Sequence, residues 1–434
     1  MIPVTGMLKQ LNNCMKHIKL RLTALSFLEF FIWGAWLITI GAYCSQTKGW
    51  TFTEFGAIFS TMGISAVFMP AVMGIVADRW INAERLLGIC HIAGAILLMY
   101  VPEVADPKTF FWVMLVYMLF YMPTISLANT VSYATLVKSG KDIIKDFPPI
   151  RVWGTIGFIA AMWTVSLLHF ETSAKQFYVA AAASIVFGIY SFTLPACPPQ
   201  PSNAAKKSLG ERLGLRAFKL FAQTKMALFF IFSMLLGAAL QLTNAYGDTF
   251  LHDFAKIPEY QGLTAVKYPA IIMSISQISE TVFILAIPFF LRRFGIKQVM
   301  LFSMIAWVLR FGLFAYGNPS DGLWMIILSC IVYGMAFDFF NISGSLFVDT
   351  QIAPDIRASA QGVFMMMTNG FGALAGSYIS GVVIDSYFLL PDGTKDWHSI
   401  WLAFAAYALI VAVLFAIFFR HKHDRNAPAQ VIAH

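Results

Sequence analysis

Carboxylates and amides stand in this sequence where water is scarce. In "SISQISETVFILAIPFF", Gln277 and Glu280 sit inside an otherwise apolar run. A spacing of three puts both on one face of a helix. Gln241 and Asn244 repeat that spacing in "LGAALQLTNAYGDTF". In "IVYGMAFDFFNISGSLF", Tyr333, Phe337 and Asn341 recur every four residues as a stripe. Asp338 is turned about 100° from Phe337. Arg151, Thr155 and Phe158 form one line in "FPPIRVWGTIGFIAAMW". Gly154 and Gly157 beside them permit a second helix to approach closely. A charged side chain at the centre of a membrane helix costs about 2.5–3.5 kcal/mol on insertion scales, so each such acid needs a partner, a proton or a wet cavity.

Each constellation also has a plainer reading. Gln277 and Glu280 lie too far from either helix end to snorkel, which leaves interhelical hydrogen bonding or, more in keeping with an ionisable group, a cavity wall. For Gln241 and Asn244 packing glue and ligand contact weigh equally. An aromatic stripe is ordinarily packing; Asp338 turns it toward substrate, a cation or another polar partner. By helical rise Arg151 stands about 10 Å from Phe158, toward the helix end, where an anchoring arginine would also stand. Glu29 reads as a helix-pairing acid, His91 as structural, and Arg310 as paired or snorkelling outward. Asp78, Arg79 and Arg357 fall at span ends, as charge-pair gates or as surface anchors.

No His–Glu metal cluster, phosphate-cradling glycine loop or nucleophile elbow accompanies these residues. An enzyme and a cofactor are therefore not expected. Amides and acids bond hydroxyls and base edges, while Phe and Tyr stack on flat faces. The set suits a small, neutral, polyhydroxylated or heteroaromatic ligand. With no nucleotide-hydrolysis motif, an ion gradient is the energy source to expect, and one charge moved through 100 mV supplies about 2.3 kcal/mol. On the residues alone a sugar symporter fits nearly as well as a nucleoside symporter.

The elements that position these residues follow from hydropathy. The 434 residues are 59% hydrophobic and 12% charged, with mean hydropathy +0.71. A soluble domain carries about 25% charged residues. The chain therefore reads as an all-α polytopic membrane protein. Twelve apolar segments lie at 22–44, 54–77, 86–101, 110–136, 149–169, 176–195, 226–250, 266–290, 297–316, 323–348, 359–387 and 400–419. With the N-terminus cytoplasmic, 23 Lys and Arg fall on that side against six opposite. That asymmetry places both termini inside and accounts for the net charge of +8 without invoking nucleic acid. The five cysteines are scattered and suggest neither a redox nor a metal site.

The expected organisation is a cytoplasmic tail 1–21, a six-helix half 22–195, a Pro-rich then basic linker 196–225, a second six-helix half 226–420 and a cytoplasmic tail 421–434. The halves echo each other. "PPIR" ending at Arg151 recurs as "PDIR" ending at Arg357, and Tyr121 and Asn129 recur as Tyr333 and Asn341. Parallel repeats of this kind build the major facilitator superfamily, whose sites lie between the halves near the midplane. "GIVADRW", with Gly74, Asp78 and Arg79, resembles that superfamily's loop between its second and third helices.

Five longer runs are more specific: "FPPIRVWGTIGF", "IFSMLLGAALQLTN", "IIMSISQISETVFIL", "AFDFFNISGSLF" and "IRASAQGVFMMMTNGFG". They resemble the nucleoside:proton symporter family, over nearly the whole chain from about Met15. The resemblance implies a monomeric importer of nucleosides such as uridine or adenosine. It would work with protons across the bacterial inner membrane and need no cofactor besides the coupling proton. It also implies a substrate site of Arg151, Thr155, Phe158, Gln241, Asn244, Gln277, Glu280, Tyr333, Phe337 and Asp338. Asp338 and Glu280 are the candidates for the proton. Ala239, Asp248 and Glu29 depart from the family pattern, which leaves base preference and proton route open.

Overall fold

The computed structural model describes residues 4–199, 215–354 and 356–421. Half of the expected linker, at 200–214, and the C-terminal tail, at 422–434, lie outside the described residues. Twelve long helices, with short helical turns between them, are seen among those described. They are α1 (Val4–Gly34), α2 (Phe52–Arg79), α3 (Ala83–Tyr100), α4 (Pro107–Lys138), α5 (Ile143–Leu167) and α6 (Lys175–Ser191). After the linker come α7 (Thr224–Asp253), α8 (269–294), α9 (296–316), α10 (Leu323–Gln351), α11 (357–387) and α12 (Trp397–Phe418). They match the twelve expected spans. The first helix extends back to Val4, through what the sequence suggested was a tail.

Local chemistry explains the boundaries. Helices α8 and α9 follow each other without a loop because Gly295 adopts φ +78° and ψ 169°, a conformation that side chains with a Cβ rarely reach. Thr51 caps α2, accepting from Glu54 N–H at 3.2 Å, while Glu54 reaches back to Thr51 N–H at 2.9 Å. Asp106 and Asp396 cap α4 and α12 at the same end of the bundle. Helix α11 widens into a π turn at Met366–Gly372. That turn carries the Thr368 carbonyl against Gly237 of α7, where a Cβ would come within 2.0 Å of it.

Packing repeats after the linker. Helix α1 packs on α5 and α6, α2 on α4, and α3 on α4 and α6. Helix α7 packs on α11 and α12 in the same manner. Between the two sets, α2 meets α11 and α5 meets α8. Most bonds that cross this seam cluster at the end opposite the linker. Phe52 and Thr53 donate to Asp385, Ala270 N–H donates to Glu171, and Gln46 approaches Asp253 at 3.4 Å. At the linker end no ion pair joins the two sets among the described residues.

Candidate substrate site

The crossing of α8 and α10 builds the centre of the site. Gly334 leaves room for the backbone of Ser279, which would lie 2.6 Å from a Cβ there, and Ser279 donates to the Ile331 carbonyl. This contact brings Glu280, next to Ser279, toward Asp338, one turn beyond Gly334. Glu280 lies within electrostatic range of Asp338 and Tyr333 on its own side of the seam. Across the seam it faces Arg151 of α5. Of the ten residues the sequence singled out, Arg151, Thr155 and Phe158 lie on α5 and the other seven on α7, α8 and α10.

Arg151 does not sit at a helix end, because α5 starts two turns earlier at Ile143. Its guanidinium lies 4.0 Å from the centroid of Phe30. Gly154 makes this possible, since a Cβ there would come within 2.6 Å of Arg151 Nη1. Gly157 admits the backbone of Phe27, as its spacing beside Gly154 suggested. Thr155 is half-buried, and Phe158 is buried edge-on to Trp33, with centroids 6.4 Å apart at 83°.

Three acceptors on the α7–α10 side lack partners. Gln241 Oε1, Gln277 Oε1 and Asp338 Oδ2 are buried without a hydrogen bond among the described residues. Such atoms are rare, because leaving one unmade costs about 1–3 kcal/mol. Here one comes from each of α7, α8 and α10. Asn244 is half-buried one turn along from Gln241. The rings of Tyr333 and Phe337 stack at 5.9 Å and 6°, forming a flat wall on this side. Acceptors, acids and aromatic faces together suit a ligand with several O–H or N–H donors and a planar ring.

Sequence reading missed two contributors. Trp33, whose indole N–H is buried and unbonded, packs between Phe158 and Tyr121. Arg310 was expected to pair or to snorkel outward. Instead it is fully buried and turns inward. Its Nε donates to Thr243 Oγ1 at 3.0 Å, and its Nη1 to the Ser329 carbonyl at 2.7 Å and to Ser276 Oγ at 3.3 Å. The guanidinium lies 4.6 Å from the Tyr333 ring centroid. The acceptors of three neighbouring helices and two aromatic faces take the place of a carboxylate.

On the α1–α6 side Glu29 and His91, which the sequence offered separately, form one buried pair. His91 Nε2 is 3.1 Å from Glu29 Oε2. Thr124 donates to Glu29 Oε1 at 2.7 Å, and Tyr121 to the Glu29 carbonyl at 2.8 Å. The gate candidates are not brought together. Asp78 and Arg79 are exposed at the end of α2, while Arg357 reaches the Ile352 carbonyl at 3.4 Å.

The family model described as nucleoside H+ symporter matches residues 15–424. Xanthosine permease of Escherichia coli is 54% identical over 94% of this chain and 97% of its own length. The E. coli nucleoside permease NupG is 52% identical over 96% of this chain and all of its own. The crystal structure of the nucleoside transporter NupG superposes with a TM-score of 0.87, covering 93% of this chain and 100% of that one at 52% identity. A bacterial homologue of the lysosomal transporter Spinster, 13% identical with a TM-score of 0.70, shares the fold. The architecture is the major facilitator fold, in a bacterial multi-pass membrane protein.

Proposed function

Since this chain belongs to the nucleoside H+ symporter family, and so imports nucleosides with protons rather than catalysing a reaction, we propose that the nucleoside binds in the gap between α5 and the α7–α8–α10 face, near the midplane. The observation that supports this reading is that α7, α8 and α10 each bury an unpaired oxygen, on Gln241, Gln277 and Asp338, with Glu280 in electrostatic range of Asp338. Ribose hydroxyls and base N–H groups would donate to these acceptors and to Asn244. The base would lie against the Tyr333–Phe337 wall or against Phe158, with Thr155 at the rim. The α1–α6 and α7–α12 halves would rock about this site, and Asp78, Arg79 and Arg357 would engage when the linker end closes.

Charge balance supports a proton on one of the two acids. With both acids ionised, Glu280, Asp338 and Arg151 together carry one net negative charge. One proton on either acid brings this trio to zero, which lowers the cost of carrying the charge through the closed state. The protein would act as a monomer in the inner membrane with both termini cytoplasmic. Uridine and adenosine are the first substrates to try.

Uptake into proteoliposomes, with and without an imposed pH gradient, tests the scheme. Asp338→Asn and Glu280→Gln should separate uridine binding from gradient-driven accumulation. Full proton-driven accumulation by both variants would sink it. Competition of labelled uridine by nucleosides and not by hexoses separates this reading from a sugar symporter.

A further inference from the structure

The fold assembles a cluster that the sequence did not announce. Glu171, between α5 and α6, meets Asp248 and His252 of α7 at the end of the bundle opposite the linker. His252 Nε2 is 3.0 Å from Glu171 Oε2 and 3.5 Å from Asp248 Oδ2. We propose that Glu171, Asp248 and His252 form a site for a divalent transition-metal ion of the zinc class, which pins the two halves together at this end when it binds.

Donor geometry comes first. Asp248 and His252 are one turn apart on a single helix face, and the three ligand atoms lie within 4.8 Å of one another. Zinc bound tetrahedrally at about 2.0–2.2 Å sets its ligand atoms about 3.3–3.6 Å apart. The 3.5 Å edge falls inside that range and the 3.0 Å edge a few tenths of an ångström below it, a shift that small side-chain rotations supply. Imidazole nitrogen and carboxylate oxygen are both zinc ligands, and a three-ligand protein set leaves the fourth position for water.

An independent observation is the absence of ordinary bonding where it is most needed. Asp248 is fully buried, yet neither carboxylate oxygen accepts a hydrogen bond among the described residues. His252 Nε2 pairs with Glu171 at 3.0 Å but stays 3.5 Å from Asp248, so the buried Asp248 carboxylate is left unsatisfied. Glu171, by contrast, is held in place, its Oε1 accepting Ala270 N–H at 3.0 Å and its carbonyl accepting Gln176 Nε2 at 2.9 Å. Such outer bonds fix a ligand's orientation.

Charge points the same way. Lys256 and Lys395, the nearby cations, pair with Asp253 and not with the cluster. Two carboxylates against one neutral imidazole leave two negative charges, which a dication cancels. Ligands from both halves make the bound ion a cross-link, and outward opening would have to break it. His252 is 12% exposed, which leaves an approach for the ion.

The test uses the full-length protein purified in detergent, with the zinc ion itself as probe. Calorimetric titration should show one saturable zinc site, and zinc should raise the thermal unfolding midpoint. Magnesium, which prefers six oxygen ligands, should do neither. Asp248→Asn and His252→Gln should each weaken zinc binding by about tenfold or more, by loss of a direct ligand. His169→Gln, at the same end but stacked on Tyr268, should bind as the wild type does. In proteoliposomes external zinc should slow uridine uptake by the wild type, and slow each ligand variant less relative to its own zinc-free rate. The absence of a saturable site, or undiminished binding in both ligand variants, overturns the proposal. The titration needs no nucleoside, so its outcome is separate from that of the transport scheme.

Discussion

The carboxylate of Asp385, near the end of α11, caps a helix that is not its own. Its Oδ1 accepts Phe52 N–H at 3.1 Å and its Oδ2 accepts Thr53 N–H at 2.6 Å, both at the start of α2. With Glu54 N–H on Thr51 Oγ1, the free donors of the first turn of α2 are all satisfied. A carboxylate at this positive helix end is doubly favourable. Because α2 and α11 belong to different halves, the cap is also a latch. Asp385→Ala should weaken closure at this end by about 1.5–3 kcal/mol, the range for hydrogen bonds to charged groups. Hydrogen exchange at the amides of residues 52–53 should accelerate by about tenfold or more, since about 1.4 kcal/mol is a factor of ten. Unchanged exchange there would show that the contact holds nothing shut.

Arg310 supports the ligand wall from behind. Its planar fork spans acceptors on three helices while its face lies on Tyr333, the ring that stacks on Phe337. Lysine keeps the charge but offers a compact ammonium that cannot reach all three partners or stack. Arg310→Lys should therefore lower stability by about 2 kcal/mol, the loss of one charge-assisted bond. The KM for nucleoside should rise as the Tyr333 ring loosens. Thermal unfolding in detergent and uptake kinetics measure the two effects. Wild-type values for both would mean that Arg310 is a passenger.

These cases show what the sequence could carry. Gln277 and Glu280 were legible as a pair because a spacing of three fixes a shared helix face whatever the helix packs against. The twelve spans were legible for a similar local reason, since lipid demands long apolar runs. The inward turn of Arg310 was not legible. Whether a long cation snorkels or folds inward depends on which acceptors neighbouring helices present, and Thr243, Ser276 and Ser329 are far away in sequence. Glu29 and His91 are 62 residues apart, and no local period connects α1 with α3. The repeat between halves suggested where helices lie, but not that Asp385 would cap α2.

The Glu29–His91 pair makes a prediction about coupling. Ser184 Oγ donates to the His91 carbonyl at 2.9 Å, so its contact with His91 Nδ1 at 3.2 Å is filled by the imidazole N–H. Two bare lone pairs would then face each other at 3.1 Å between Nε2 and Glu29 Oε2 unless a proton lies between them. Removing one partner strands the other in a site where each is only 1% exposed. Glu29→Ala and His91→Ala should each destabilise the protein by about 3 kcal/mol or more. The double variant should cost less than the sum, with a coupling energy of about 1–3 kcal/mol. Additive losses in a thermal or denaturant cycle would show that the two side chains do not act as a unit.

Two glycines test the seams of the fold in opposite directions. Gly237 of α7 faces the π turn of α11, where an added Cβ would lie 2.0 Å from the Thr368 carbonyl and 2.7 Å from its carbon. Backbone cannot yield as a flexible side-chain tip can, so the helices would have to part along the contact. Gly237→Ala should cost about 3 kcal/mol or more, the upper range for overpacking, and much of the folded protein should be lost. Gly312 of α9 has nothing within 4 Å of the same position. There alanine adds only helix preference, and Gly312→Ala should be neutral or stabilising by up to about 1 kcal/mol. Size-exclusion yield and unfolding midpoints of the two variants, prepared side by side, measure the difference. Equal behaviour would mean that the α7–α11 crossing tolerates the extra carbon, and that the carbonyl of Thr368 is not fixed against α7.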